Sequence, residues 1–132
     1  MCIRDRPHST PLLRLRAVAL ARVGGRGAEA VDASIEFHSV DQSPSSAAFV
    51  IQTMKDHSRV SEAIDFGLRE TAKVGLDDHL AIAIGRALID SARPAEATTL
   101  IERCASEGLD RSTALLKALM AAAAESLSLI HI

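Results

Sequence analysis

The chain has no tryptophan and no tyrosine, and Phe37, Phe49 and Phe66 are its only large aromatic residues. Strands draw heavily on aromatic and β-branched side chains. The apolar content here is instead carried largely by alanine and leucine, amid abundant arginine and glutamate, a balance that favours helix over sheet. Long hydrophobic runs are also missing. The most apolar stretch near the start, Leu12 to Val23, is interrupted by Arg14, Arg16 and Arg22 and is too short and too charged to span a bilayer, so no membrane role is expected. There is no strong excess of charge of either sign: the formal net charge is −2. Without a basic stripe, a groove that tracks a phosphate backbone is disfavoured.

The two ends carry an unusual relation. Codons that can encode Met1-Cys2-Ile3-Arg4-Asp5-Arg6, read as their reverse complement, encode Leu-Ser-Leu-Ile-His-Ile, which is the C-terminal segment Leu127-Ser128-Leu129-Ile130-His131-Ile132. Such an inverted repeat resembles the mosaic-end adapter of transposase-based library preparation. Residues 1–6 and 127–132 are therefore expected to be adapter-derived, and 7–126 to be a metagenomic fragment cut from a larger gene. Without Arg4, Asp5 and Arg6, 13 basic and 16 acidic residues remain, a net of −3. Setting Cys2 aside leaves Cys104 alone, which offers no disulfide framework and points to an intracellular protein.

What is present is a repeat. Arg26-Gly27-Ala28-Glu29-Ala30, Arg59-Val60-Ser61-Glu62-Ala63 and Arg93-Pro94-Ala95-Glu96-Ala97 share the pattern R-x-x-E-A, and their starts at Arg26, Arg59 and Arg93 are almost evenly spaced. Gly75-Leu76-Asp77 and Gly108-Leu109-Asp110 form a second echo with the same period. Before each R-x-x-E-A lies an apolar run of helical period: Leu13, Ala17, Leu20 and Ala21; Ala47, Val50, Ile51 and Met54; Leu80, Ile84, Ala87 and Leu88. A breaker follows each run: Gly24-Gly25, Asp56-His57-Ser58 and Ser91-Ala92-Arg93. Each Glu then falls in the first turn of a second helix, where the dipole favours a negative charge. Pro94 suits the first helical position. Each Ala follows on the inner face, where a small side chain lets two helices approach.

This pattern predicts hairpins at about 11–38, 46–74 and 78–107 and a further helix from about 111, with a loop from Asp41 to Ser46 and a helix start at Ser43-Pro44. Gly75 and Gly108 are expected to close helices in the left-handed conformation, with Asp77 and Asp110 capping the helices that follow. Ala30, Ala63 and Ala97 should be buried at equivalent places. The domain reading is one helical fragment with units at about 11–44, 45–77 and 78–110 and a partial unit at 111–126.

A two-helix unit of this period resembles the tetratricopeptide repeat, whose unit is about 34 residues long. The best-matching unit runs from Asp78 to Cys104. Ile84-Gly85 looks like that family's Leu-Gly pair, Leu88 stands at its usual tyrosine site, Ala97 at its most regular small residue, and Ile101 at its second-helix aromatic site. Ala81 departs from the pattern where a bulky aromatic is usual, the closing proline is missing from both later units, and the second unit has Ile51 at the glycine site and Gly67 near the aromatic site. The resemblance covers Leu12 to Ala124 and implies an all-α, right-handed α-solenoid of three helix-turn-helix repeats plus a trailing helix. The pentatricopeptide repeat is the near alternative: Glu107-Gly108-Leu109-Asp110 followed by Leu115 to Met120 looks like its inter-repeat turn and next first helix, although Arg111 replaces its turn proline. That family binds single-stranded RNA.

Chemistry is sparse. Cys104 falls on an inner helix face with Leu100 and Ile101, as a core residue would. His38, His57 and His79 lack metal-ligand spacing. Asp77-Asp78-His79 reads as a cap, and Gly24-Gly25-Arg26-Gly27 follows a helix rather than a strand and lacks the Lys-Ser/Thr of a phosphate loop. No catalytic, cofactor-binding or metal-binding residue is nominated. The functional expectation is a protein-interaction scaffold, not an enzyme, whose first helices line a concave groove. Polar residues outside their apolar stripes are Arg14, Gln52, Lys55, Arg86 and Lys117. Four of the five are basic, so the expected partner is an acidic peptide, a partner helix or a C-terminal carboxylate. The alternatives are a single-stranded RNA-binding array or the helical appendage of an enzyme.

Overall fold

In a computed structural model, residues 10–21 and 27–130 are described, and among them every regular element is an α-helix. The helices are α1 (Thr10–Ala21), α2 (Gly27–Asp41), α3 (Pro44–Asp56), α4 (Val60–Val74), α5 (Asp78–Asp90), α6 (Pro94–Ser106) and α7 (Asp110–Ile130). The expectation of an all-helical chain without strands holds for these residues. The segment Met1 to Arg6, Arg22, Gly24-Gly25 and Arg26 lie outside them. The helix α7 runs across the expected boundary between 126 and 127.

Helix starts follow the local chemistry. Ser43 caps α3: its hydroxyl accepts from the Ser46 amide at 3.1 Å, Ser46 Oγ accepts in return from the Ser43 amide at 3.2 Å, and Pro44 takes the first helical position. Asp77 caps α5 by accepting from the Leu80 amide at 2.9 Å. The expectation for Asp110 is corrected: it is the first residue of α7, in the first turn, and the carbonyl of Leu109 accepts the first helical bond, from Thr113.

Three helix ends share one device. His57-Ser58-Arg59, Ser91-Ala92-Arg93 and Glu107-Gly108-Leu109 connect α3 to α4, α5 to α6 and α6 to α7. The middle residue of each has positive φ: 64° at Ser58, 58° at Ala92 and 77° at Gly108. Its amide donates back to Lys55, Ile89 or Ala105 at 3.1, 3.1 or 3.2 Å, and the next amide donates to Met54, Leu88 or Cys104 at 2.8, 2.9 or 2.9 Å. These are Schellman closures. Gly108 behaves as expected, whereas Gly75 has φ 83° and ψ 171°, an extended left-side conformation open to glycine rather than a helical closure. The loop expected at Asp41 to Ser46 is shorter. The helix α2 continues to Asp41: His38 is buried against α3 and α4 while Ser39, Val40 and Asp41 are exposed, and Gln42 ends it at φ 49° with its amide on the His38 carbonyl.

The helices pack in sequence order, α1 on α2, α2 on α3, α3 on α4, α4 on α5, α5 on α6 and α6 on α7, and also α3 on α5 and α5 on α7. The core lies around α3 and α5, where Val50, Ile51, Leu80, Ile84 and Leu88 are at most 1% exposed. Two glycines permit the closest approaches. A Cβ at Gly67 would stand 2.7 Å from Ile84 Cγ1 and 2.8 Å from Ile51 Cδ1, and one at Gly85 would collide with the side chain of Leu116 on α7. Ala30, Ala63 and Ala97 are each the fourth residue of their helix and are at most 1% exposed. Cys104 is buried, as its helical register indicates, and burial pushes its thiol up, with the charge of Glu107 adding to the effect.

Candidate functional site

The faces of α3 and α5 that point away from the core carry residues at matching positions. On α3 these are Ser45, Ala48, Gln52, Lys55 and Asp56, and at the same places on α5 they are His79, Ile82, Arg86, Ile89 and Asp90. None of the ten is buried. Both helices are 13 residues long, α3 from Pro44 and α5 from Asp78, so this register follows from the turns that bound them.

Lys55 and Arg86 line one shallow groove, together with Ile89 and Asp90 of α5 and Leu119 and Ala123 of α7. Its volume is about 180 Å³. Drug-sized ligands occupy about 300–1,000 Å³, so the groove suits a single side chain or chain terminus. Lys55 Nζ lies 2.5 Å from Asp90 Oδ2, and only 20% of the Lys55 side chain is exposed. Gln52 Nε2 donates to Asp56 Oδ1 at 2.7 Å. Arg86 is exposed and forms no ion pair with another described residue. Of the five nominated residues, then, Lys55 and Arg86 are brought into one groove, and Gln52 shares their face. Arg14 is exposed on α1 in a separate groove with Pro11, Val18, Phe37, Asp41, Ser45 and Phe49. Lys117 is exposed on α7 but does not line the groove of Lys55 and Arg86.

A second cluster escapes sequence reasoning. His38 of α2, Ser46 of α3 and Glu70 of α4 are 6%, 2% and 8% exposed. His38 Nε2 is 2.5 Å from Glu70 Oε1, and its Nδ1 is 2.6 Å from Ser46 Oγ. An ionised carboxylate only accepts, so the ring donates from Nε2. Phe66 meets the imidazole edge-on at 5.6 Å, and Lys73 Nζ is 3.4 Å from Glu70 Oε2. Burial pushes the Glu70 carboxyl up, but the hydrogen bond and charge of His38, with the charge of Lys73, outweigh it and hold the carboxyl below its ordinary value. The order Ser–His–Glu is that of a hydrolytic relay. Here the hydroxyl is buried and its single proton has two acceptors in reach, His38 Nδ1 at 2.6 Å and the Ser43 carbonyl at 3.0 Å, so the trio ties three helices together instead of presenting a nucleophile. The imidazole lies 8 positions from Ser46 and 32 from Glu70 along the chain, and no periodic signal joins the three.

Among the described residues no group of three or more His, Cys, Asp or Glu side chains could hold a metal ion, and no helix is long and apolar enough to cross a membrane. The chain matches no family model, no curated protein and no solved structure.

Proposed function

We propose that the chain is part of a tetratricopeptide-like, right-handed α-solenoid that acts as a protein-interaction scaffold, binding an acidic peptide segment or a C-terminal carboxylate on its concave face, across the faces of α3 and α5 that point away from the core. The observation that carries this reading is the shared groove of Lys55 and Arg86, cations from the first helices of two successive units.

Several features support a repeat. The fourth-residue alanines recur in α2, α4 and α6. The connections at Ser58 and Ala92 have the same bonds and nearly the same φ. Arg59 and Glu62 at 4.0 Å are echoed by Arg93 and Glu96 at 3.7 Å. The contacts of α5 with both α3 and α7 are those that stacked first helices make. A partner carboxylate suits the groove by size and charge, and a guanidinium offers it a fork of donors. A repeat array that reads single-stranded RNA would instead need phosphate-tracking cations along the strand beside its base-reading side chains, whereas in this groove Lys55 is paired with Asp90.

The test is binding of the chain to a glutamate-rich peptide and to single-stranded RNA over a salt series. Peptide binding that is lost in Arg86→Glu, without RNA binding, is expected. RNA binding with a steep salt slope would replace the scaffold with an RNA-binding array.

A further inference from the structure

Lys55 is already paired inside the chain. Its ammonium lies 2.5 Å from Asp90, a residue of the same groove, while Arg86, one helical turn before Asp90, forms no ion pair with a described residue. Gln52, on the same face of α3, donates to Asp56 within its own helix, and Asp56 and Asp90 are the last residues of α3 and α5. Lys55 and Gln52 thus each meet an aspartate of the chain's own at a helix end, Lys55 across to α5 and Gln52 within α3.

From this we infer that Asp90 is a built-in competitor for the groove: its carboxylate holds the place on Lys55 that a ligand carboxylate would take, and so sets the threshold of affinity for acidic partners. This rests on the acidic-peptide reading above. Two charge effects act together. An incoming carboxylate must displace Asp90 from Lys55, and while Asp90 stays in the groove it repels the ligand and offsets the pull of Arg86. The Asp90 side chain is 53% exposed, so it can swing into water when displaced. Lys55, with most of its side chain covered, cannot follow it and stays aimed into the groove. A partly exposed pair of this kind adds little to stability, so the variant lacking it remains folded.

The experiment measures binding of a fluorescein-labelled hexaglutamate peptide to the full chain by anisotropy at low and moderate salt. The variants are Asp90→Asn, Asp90→Asn with Lys55→Gln, Arg86→Glu, and Glu102→Gln. The last removes one negative charge from an exposed site on α6 and controls for net charge. Asp90→Asn is expected to tighten binding about tenfold, Lys55→Gln in the same chain to reverse the gain, and Glu102→Gln to leave affinity near wild type. The gain should shrink as salt rises. Equal affinities of wild type and Asp90→Asn, with binding still lost in Arg86→Glu, would overturn the competitor role and leave the acidic-peptide site standing. Equal gains in Asp90→Asn and Glu102→Gln would also overturn it, as a net-charge effect. No binding by any variant, or binding indifferent to Arg86→Glu, would overturn both.

Discussion

Replacing Gly85 by alanine adds one methyl group where α5 meets α7. That methyl would lie 2.7 Å from Leu116 Cδ1 and 3.0 Å from its Cγ, and closer still to Cδ2. Carbon atoms in good contact stand about 3.5–4.0 Å apart, so the overlap involves both branches and the branch point of the leucine. Leu116 is fully buried, so moving its side chain aside means repacking the core around it, and otherwise the two helices must separate. Overpacking of this kind costs about 1–3 kcal/mol. The same substitution recovers about 1 kcal/mol of helix propensity. With this much overlap the steric cost falls in the upper part of its range, and a net loss of up to about 2 kcal/mol is expected. Leu116→Ala alone should cost about 2–5 kcal/mol through its cavity. In the double variant the new methyl partly fills that cavity, so the two effects should fall short of additive by about 1–3 kcal/mol. Urea denaturation followed by far-UV circular dichroism measures all three. A Gly85→Ala chain that gains the full helix-propensity increment, with additive behaviour alongside Leu116→Ala, would refute the close approach of α5 and α7.

Further outcomes bear on other parts of the molecule. Ala97→Leu should cost about 1–3 kcal/mol by overpacking a buried first turn, while Glu102→Ala on an exposed face should stay within about 0.5 kcal/mol, and equal denaturation midpoints would contradict the inner-face placement of Ala97. Ala92→Gly should stabilise the chain by about 0.5–1 kcal/mol, because the exposed Ala92 holds φ at 58° and has no packing to lose; a loss of stability would argue against the Schellman closure. Glu70 has a lowered carboxyl in the folded state, so its contribution is present above the ordinary glutamate range and is lost as the pH falls through its folded value. Wild type should therefore lose more stability than Glu70→Gln on acidification from neutral pH through the carboxylate range, and parallel pH profiles would exclude the His38–Glu70 bond as a source of stability.

The parts of this architecture that are legible in the sequence are those set by local chemistry. Ser43-Pro44 and Asp77 start helices because each cap needs only the next three residues. Gly108 ends one because a positive φ favours glycine there. The same closure at Ser58 and Ala92 is hidden, since neither residue advertises a positive φ; the breaker clusters locate those turns but not their conformation. Asp110 reads as a cap only while the echo of Gly75-Leu76-Asp77 is taken as complete; in the structure α5 starts after Asp77, whereas α7 starts at Asp110 itself. Of the candidate site, the helical register is readable and the pairing is not. Arg86 and Lys55 fall outside the apolar stripes, but that Asp90 reaches Lys55 across two helices depends on how α3 and α5 are set against each other. The His38–Ser46–Glu70 cluster needs three helices to converge, and composition and period carry no trace of it.

The most direct measurement of the central claim is amide chemical-shift mapping of the isotopically labelled chain titrated with the hexaglutamate peptide. The scaffold reading predicts that the largest shifts cluster on Gln52 to Asp56 and Arg86 to Asp90, and that they vanish in Arg86→Glu. Shifts centred instead on Arg14 or Lys117, or no shifts at peptide concentrations where single-stranded RNA does perturb the spectrum, would contradict it.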